Sequence, residues 1–118
     1  MKTYYQRIFD VMNDNKIDVY APYQKTDKCV KEYVVIKDNG QNPTIDGNVN
    51  GWNLVQIFCY YPKDQYSQLE PFSIKVKHLI KNELMFMKVT GSESPVMFMD
   101  DVQAYLKIIE YTIPHKLK

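Results

Sequence analysis

Asp46-Gly47-Asn48-Val49-Asn50-Gly51 matches the first six positions of a calcium loop, with oxygen donors at one, three and five and the glycine that allows the sharp turn. The match then stops. Ile57 stands where the bidentate glutamate belongs and Leu54 holds the ninth position, so the segment reads as an asparagine-glycine turn. Met85-Phe86-Met87 and Met97-Phe98-Met99 place thioethers at alternate positions, a spacing that on paired strands could offer Cu(I) a soft site. Methionine also fills irregular gaps against aromatic rings, which is the plainer use here. Gly91-Ser92-Glu93-Ser94-Pro95 has the outline of a nucleophile elbow, but Pro95 replaces its second glycine and the flanking segments both read as strands.

The remaining polar groups are spaced for structure. Asp100-Asp101 are neighbours in an extended stretch, so they point to opposite faces and read as the turn at a hairpin end. His78 and His115 have no partner ligand at metal spacing. Cys29 and Cys59 form neither a CxxC nor a dense framework, so both are expected as reduced thiols. Lys75, Lys77 and Lys81, with Arg7, could line a nucleic-acid stripe, yet their spacing is that of the solvated face of an amphipathic helix. Catalytic residues, metal ligands and cofactor sites are all expected to be none.

The chain has 118 residues, with 15 basic against 14 acidic side chains and a formal net charge of +1. That balance creates no field to recruit a charged polymer, so no specific nucleic-acid partner is expected. Its length suits one domain, read as 1–118. No run approaches the roughly 20 apolar residues of a membrane span, and the first ten residues lack a signal-peptide core. The sequence thus predicts a protein made in a cytoplasm, with no membrane partner.

Hydrophobic periodicity supplies the elements. Tyr5, Ile8, Phe9 and Met12 make one stripe of a helix over 3–15, closed by Asn13-Asp14-Asn15. Short strands are predicted at 17–20 and 33–37. Residues Asp38 to Gly51 hold three of the four glycines together with Pro43, which predicts a long loop of functional or mobile character. Residues 52–61 are apolar on both faces, as a central strand requires. A helix is predicted from near Glu70 to Asn82, with Pro71 in its first turn. Strands at 84–90 and 96–100 are predicted to pair as a hairpin around residues 91–95. In the last strand, 102–113, the apolar parity switches between Ile108 and Ile109, which implies a bulge or a change of packing layer. The order α-β-β-β-α-β-β-β predicts an α+β fold, a mainly antiparallel sheet with two helices packed on it.

Ten tyrosines and Trp52 exceed what so small a core wants, because a buried phenol needs a hydrogen-bond partner. The surplus predicts protein surfaces as partners. The early helix ending in Asn13-Asp14-Asn15, the central strand Trp52-Asn53-Leu54-Val55-Gln56-Ile57-Phe58-Cys59-Tyr60-Tyr61-Pro62, the helix with Phe72, Val76, Leu79 and Ile80, and the closing Lys107-Ile108-Ile109-Glu110-Tyr111 resemble the tail terminator, or tail completion, proteins of tailed bacteriophages. The resemblance spans nearly the whole chain in order and length.

It implies a non-enzymatic virion protein of the tail and neck, assembled in the host cytoplasm. Its partners would be copies of itself in a hexameric ring, the tail tube protein and the head-completion or connector protein. By that analogy the loop residues Asp38, Asn39, Gly40, Asp46, Gly47, Asn48, Asn50 and Gly51 would meet a neighbour or the tube, and Trp52, Tyr60 and Tyr105 would pack between subunits. Two alternatives stay open: a head-closure or neck protein of the same virion, and a small metal- or nucleic-acid-binding accessory protein.

Overall fold

The computed structural model describes residues 3–22, 24–25, 27–43 and 50–116. Helix α1 (Tyr4–Asp14) opens with a capping box: the Gln6 amide donates to Thr3 Oγ1 (3.1 Å) while the Thr3 amide donates to Gln6 Oε1 (3.0 Å). Two of the four amides that a helix start leaves unpaired are thereby served. Its apolar stripe buries Ile8 and Met12. At the far end Asn15 caps the helix, its Nδ2 donating to the Val11 carbonyl (2.9 Å) and to Glu83 (3.2 Å), which ties α1 to the second helix.

Six strands follow: β1 (Val19–Tyr20), β2 (Tyr33–Pro43), β3 (Asn50–Pro62), β4 (Lys88–Glu93), β5 (Met97–Met99) and β6 (Ala104–Lys116). They form one sheet in the order β1-β2-β3-β6-β4, and β5 also pairs with β6. Only β1 with β2 is parallel. Between β3 and β4 a 3₁₀ segment, Lys63–Gln68, leads into helix α2 (Leu69–Glu83), whose first turn holds Pro71 where no intrahelical donor is lost. This is an α+β fold with two helices on a mainly antiparallel sheet.

Both helices cover the same face. Ile8 and Met12 of α1, with Leu69, Phe72, Val76 and Ile80 of α2, close on Val34, Ile36, Val55, Ile57, Cys59, Ile109, Tyr111 and Ile113 from the three central strands. A second, smaller cluster lies on the opposite face, where Cys29, Tyr33, Val102 and Ala104 pack with Tyr20, Val35, Tyr60 and Met99. The Cys29 amide pins this cover to the Val102 carbonyl (2.8 Å).

These two clusters explain the parity switch of the last strand. Ala104 and Leu106 are buried on the small-cluster side, and Ile109, Tyr111 and Ile113 are buried under the helices. One strand serves two packing layers in turn. No bulge interrupts it on the β3 side, where the register runs unbroken from Asn50↔Lys116 to Pro62↔Ala104. The irregularity sits in β4, between Val89 and Glu93.

Two expectations are corrected. Residues 38–51 are not one long loop: β2 continues to Pro43 and β3 begins at Asn50, with a register shift between Asp38 and Gln41. Glycine and asparagine weaken a strand, but pairing with β3, itself held by β6, outweighs that local preference. Residues 84–90 and 96–100 do not pair as a hairpin. Each of β4 and β5 pairs with β6 instead, and Met85-Phe86-Met87 lies in the turn after α2 rather than on a strand. Ser94 marks the crossing between them. Its amide donates to the Ile108 carbonyl (2.9 Å), and its Oγ accepts from the Ile108 amide (2.8 Å).

Candidate functional site

The face of the sheet without helices is built from alternate residues of three strands. Register places Tyr33 opposite Tyr60, Val35 opposite Phe58 and Lys37 opposite Gln56 on β2 and β3, while Phe58 faces Ile108 and Leu54 faces Thr112 on β6. A solvated antiparallel face ordinarily alternates to polar residues. Here Val35, Leu54, Phe58, Tyr60 and Ile108 are half-buried instead. The segment around Cys29 covers one end of this face and leaves a recess of about 260 Å³, with Tyr33, Val35, Phe58 and Tyr60 as its floor and Lys25 and Asp101 on its walls.

Aromatic contacts order that recess. Tyr33 and Tyr60 stack with centroids 4.8 Å apart, and Tyr20 meets Tyr33 edge-on at 5.4 Å. Lys25 Nζ sits 5.7 Å from the Tyr20 ring and 5.9 Å from the Tyr33 ring while pairing with Asp27 (3.0 Å). Burial pushes the phenols of Tyr33 and Tyr60 above the ordinary tyrosine value. That favours the protonated phenols, which serve here as stacking rings.

The two thiols are equally quiet. Cys59 is fully buried, and burial pushes its thiol up to about 12. Burial also raises Cys29, whose Sγ donates to the Lys31 carbonyl (3.3 Å). Neither is bonded to another cysteine.

The predicted site residues do not form one patch. Asp38 lies on β2 opposite Val55 and accepts a hydrogen bond from the Tyr4 hydroxyl. Asn39 and Gly40 continue the same strand through the register shift. Asn50, Gly51 and Trp52 are strand residues of β3, opposite Lys116, His115 and Pro114. Asp46, Gly47 and Asn48 lie outside the described residues. Tyr60 is on the open face, but Tyr105 pairs with Tyr61 on the helix side, where its ring meets Tyr66 at 4.6 Å and Phe98 at 5.3 Å. The two tyrosines thus belong to different surfaces.

On the helix side an ionic cluster joins three elements. Lys107 Nζ lies 3.1 Å from both Glu70 of α2 and Glu93 of β4, and Lys77 lies 3.0 Å from Glu93. The hydrogen bond from Lys77, backed by Lys107, holds the Glu93 carboxyl below its ordinary value. Burial works against the Lys107 ammonium, yet its bonds to Glu70 and Glu93 raise it above the usual lysine value. Among the described residues no group of three histidine, cysteine or acidic side chains could hold a metal ion. No described helix is long and apolar enough to cross a membrane.

Comparison with protein-family models and with curated proteins finds no match to this chain.

Residue type alone did not mark Val35, Phe58 and Ile108 as a half-open face. The available signal was apolar character on both sides of the strand at 52–61, joined to only two helices. Two helices cover one face of such a sheet and no more.

Proposed function

We propose that this chain is a non-enzymatic assembly subunit of the tail-terminator kind, which closes into a ring with its own copies, caps a phage tail tube and offers the joining surface to the head. The observation that carries the reading is the sheet face bearing Val35, Leu54, Phe58 and Ile108, which the chain's own helices leave uncovered. Val35, Phe58 and Ile108 lie side by side across β2, β3 and β6, and half-open apolar residues grouped in this way on a small protein mark a place of contact.

Shape supports the same reading. The molecule measures 48 × 27 × 24 Å with a radius of gyration of 14.9 Å, against about 13.5 Å for a compact domain of this length. An elongated subunit has the reach to touch a neighbour. Subunits in a ring repeat one heterologous contact around a closed rotation. A near-neutral chain can sit beside identical copies without strong mutual repulsion.

Native mass spectrometry with negative-stain imaging, up to millimolar protein, tests the proposal. Closed rings, or caps on purified tail tubes, are the expected result. A protein that neither forms rings nor caps tubes overturns it. Phe58→Asp, placed on the open face, is expected to abolish caps on tail tubes while leaving the circular dichroism spectrum unchanged.

A further inference from the structure

Two ends of the helix side are unlike each other in a complementary way. Between α2 and the start of β4 lies a cavity of about 670 Å³, floored by Ile80, Met87 and Tyr111, with Ile74 and Met85 at its mouth. Ile74 is 42% and Met85 73% exposed, so the apolar lining spills onto the surface. Its rim is basic: Lys77, His78, Lys81 and Lys88 line it, and no described carboxylate does. Lys77 is held by Glu93, but Lys81 and Lys88 make no ion pair among the described residues.

At the other end, the Tyr66–Tyr105–Phe98 ring chain makes an apolar projection on which Phe98 is 45% and Tyr66 55% exposed. Asp64 stands two positions before Tyr66 in the 3₁₀ segment, and Asp100 stands two positions after Phe98 in the turn before β6, its Oδ1 accepting from Gln103 Nε2 (3.2 Å). Lys63, next to Asp64 in sequence, donates to Gln103 Oε1 (3.1 Å). Tyr105 and Tyr111 lie on the same face of β6, six positions apart, so projection and cavity stand about 20 Å from each other on one molecule.

We propose that the Phe98 projection of one copy seats in the Lys81/Lys88 cavity of a second copy. Phe98 would fill apolar space left open by Ile74 and Met85, and the aspartates would meet the lysines whose charge no described group answers. The contact joins two different surfaces of the chain, so it can run head-to-tail from copy to copy. Repeated with a closing rotation it makes a ring; without closure it makes a filament. The proposal rests on the assembly reading for its partner, a second copy, and goes beyond it in naming the contact.

Two variants test it: Lys81→Glu with Lys88→Glu, which spoils the cavity, and Phe98→Ser, which removes the projection. Both alter exposed positions, and circular dichroism checks that each stays folded. By sedimentation and native mass spectrometry, each variant alone is expected to self-associate at least about tenfold more weakly than the parent, while an equal mixture of the two forms a one-to-one heterodimer through the surviving ends. Parent-like assemblies in both variants overturn this contact and leave the ring reading standing. No heterodimer on mixing also overturns it. A parent chain that stays monomeric at millimolar concentration overturns the contact too, and tube capping then decides the assembly reading separately.

Discussion

Tyr60 lies flat against Tyr33 across the β2–β3 ladder, with ring planes 16° apart. The stack joins the open sheet face to the small cluster around Cys29, so it couples a surface to a core. A double-mutant cycle with Tyr33→Leu and Tyr60→Leu, followed by urea unfolding, is expected to give a coupling of about 0.5–1.5 kcal/mol. Additive losses would mean that the rings merely share a location.

Burial sets the reactivity of the thiols. With Cys59 raised to about 12 and Cys29 also raised, the thiolate fraction at pH 8 is small and neither sulfur is exposed. Ellman's reagent at that pH is expected to label two thiols in denaturant and none rapidly in the native protein. Fast native labelling of Cys59 would show that β3 opens locally.

Much of this architecture was legible in the residues. Tyr5, Ile8, Phe9 and Met12 announce α1, and Pro71 locates the first turn of α2, because both signals are local. The apolar switch in the last strand was visible as well. Its cause was not, since two packing layers meet at β6 only after distant segments arrive on opposite faces. The same limit explains residues 38–43 and 50–51. Glycine and asparagine favour turns locally, whereas the ladder to β6 that holds Gly51 opposite His115 comes from far along the chain. The cavity beneath Met85 left no periodic signal, because it is a gap between elements rather than a pattern within one.

The charge cluster around Glu93 makes stability depend on pH at both extremes. Glu93 is held below its ordinary value of 4.5, so its contribution is complete above that pH and is lost as pH falls through the lower folded value. Lys107 is held above 10.5, so its contribution is complete below that pH and is lost as pH rises through the higher folded value. Glu93→Gln is expected to flatten the decline of stability below pH 4.5 and to cost about 1 kcal/mol or less at pH 7, as befits partly exposed pairs. Thermal melts across pH 2.5–7 read both effects.

Ile57 and Ile108 separate the covered face from the open one. Ile57 is fully buried beneath the helices, and Ile108 is half-buried on the other side. Ile57→Ala is expected to cost about 2–5 kcal/mol in urea unfolding of the dilute protein, and Ile108→Ala clearly less. In concentrated protein the order should narrow if a neighbour covers Ile108.

Thr3 tests the start of the chain's first element. Its hydroxyl and the Gln6 side chain satisfy each other's amides, so Thr3→Ala is expected to lower stability by about 1 kcal/mol, with Thr3→Ser close to the parent. An unchanged melting temperature for Thr3→Ala would show that the tie between Asn15 and Glu83 holds α1 without its cap.

β6 is last of the strands in chain order yet sits in the middle of the sheet, bordered by β3 on one side and by β4 and β5 on the other. Every residue it pairs with on β3 is more than forty positions away. Loop closure must therefore be paid in entropy before its hydrogen bonds form, which slows this pairing relative to local ones. Until β6 docks, β3 presents a bare, apolar edge. The interval before that last insertion is when a foreign strand has its best chance to take the vacant place.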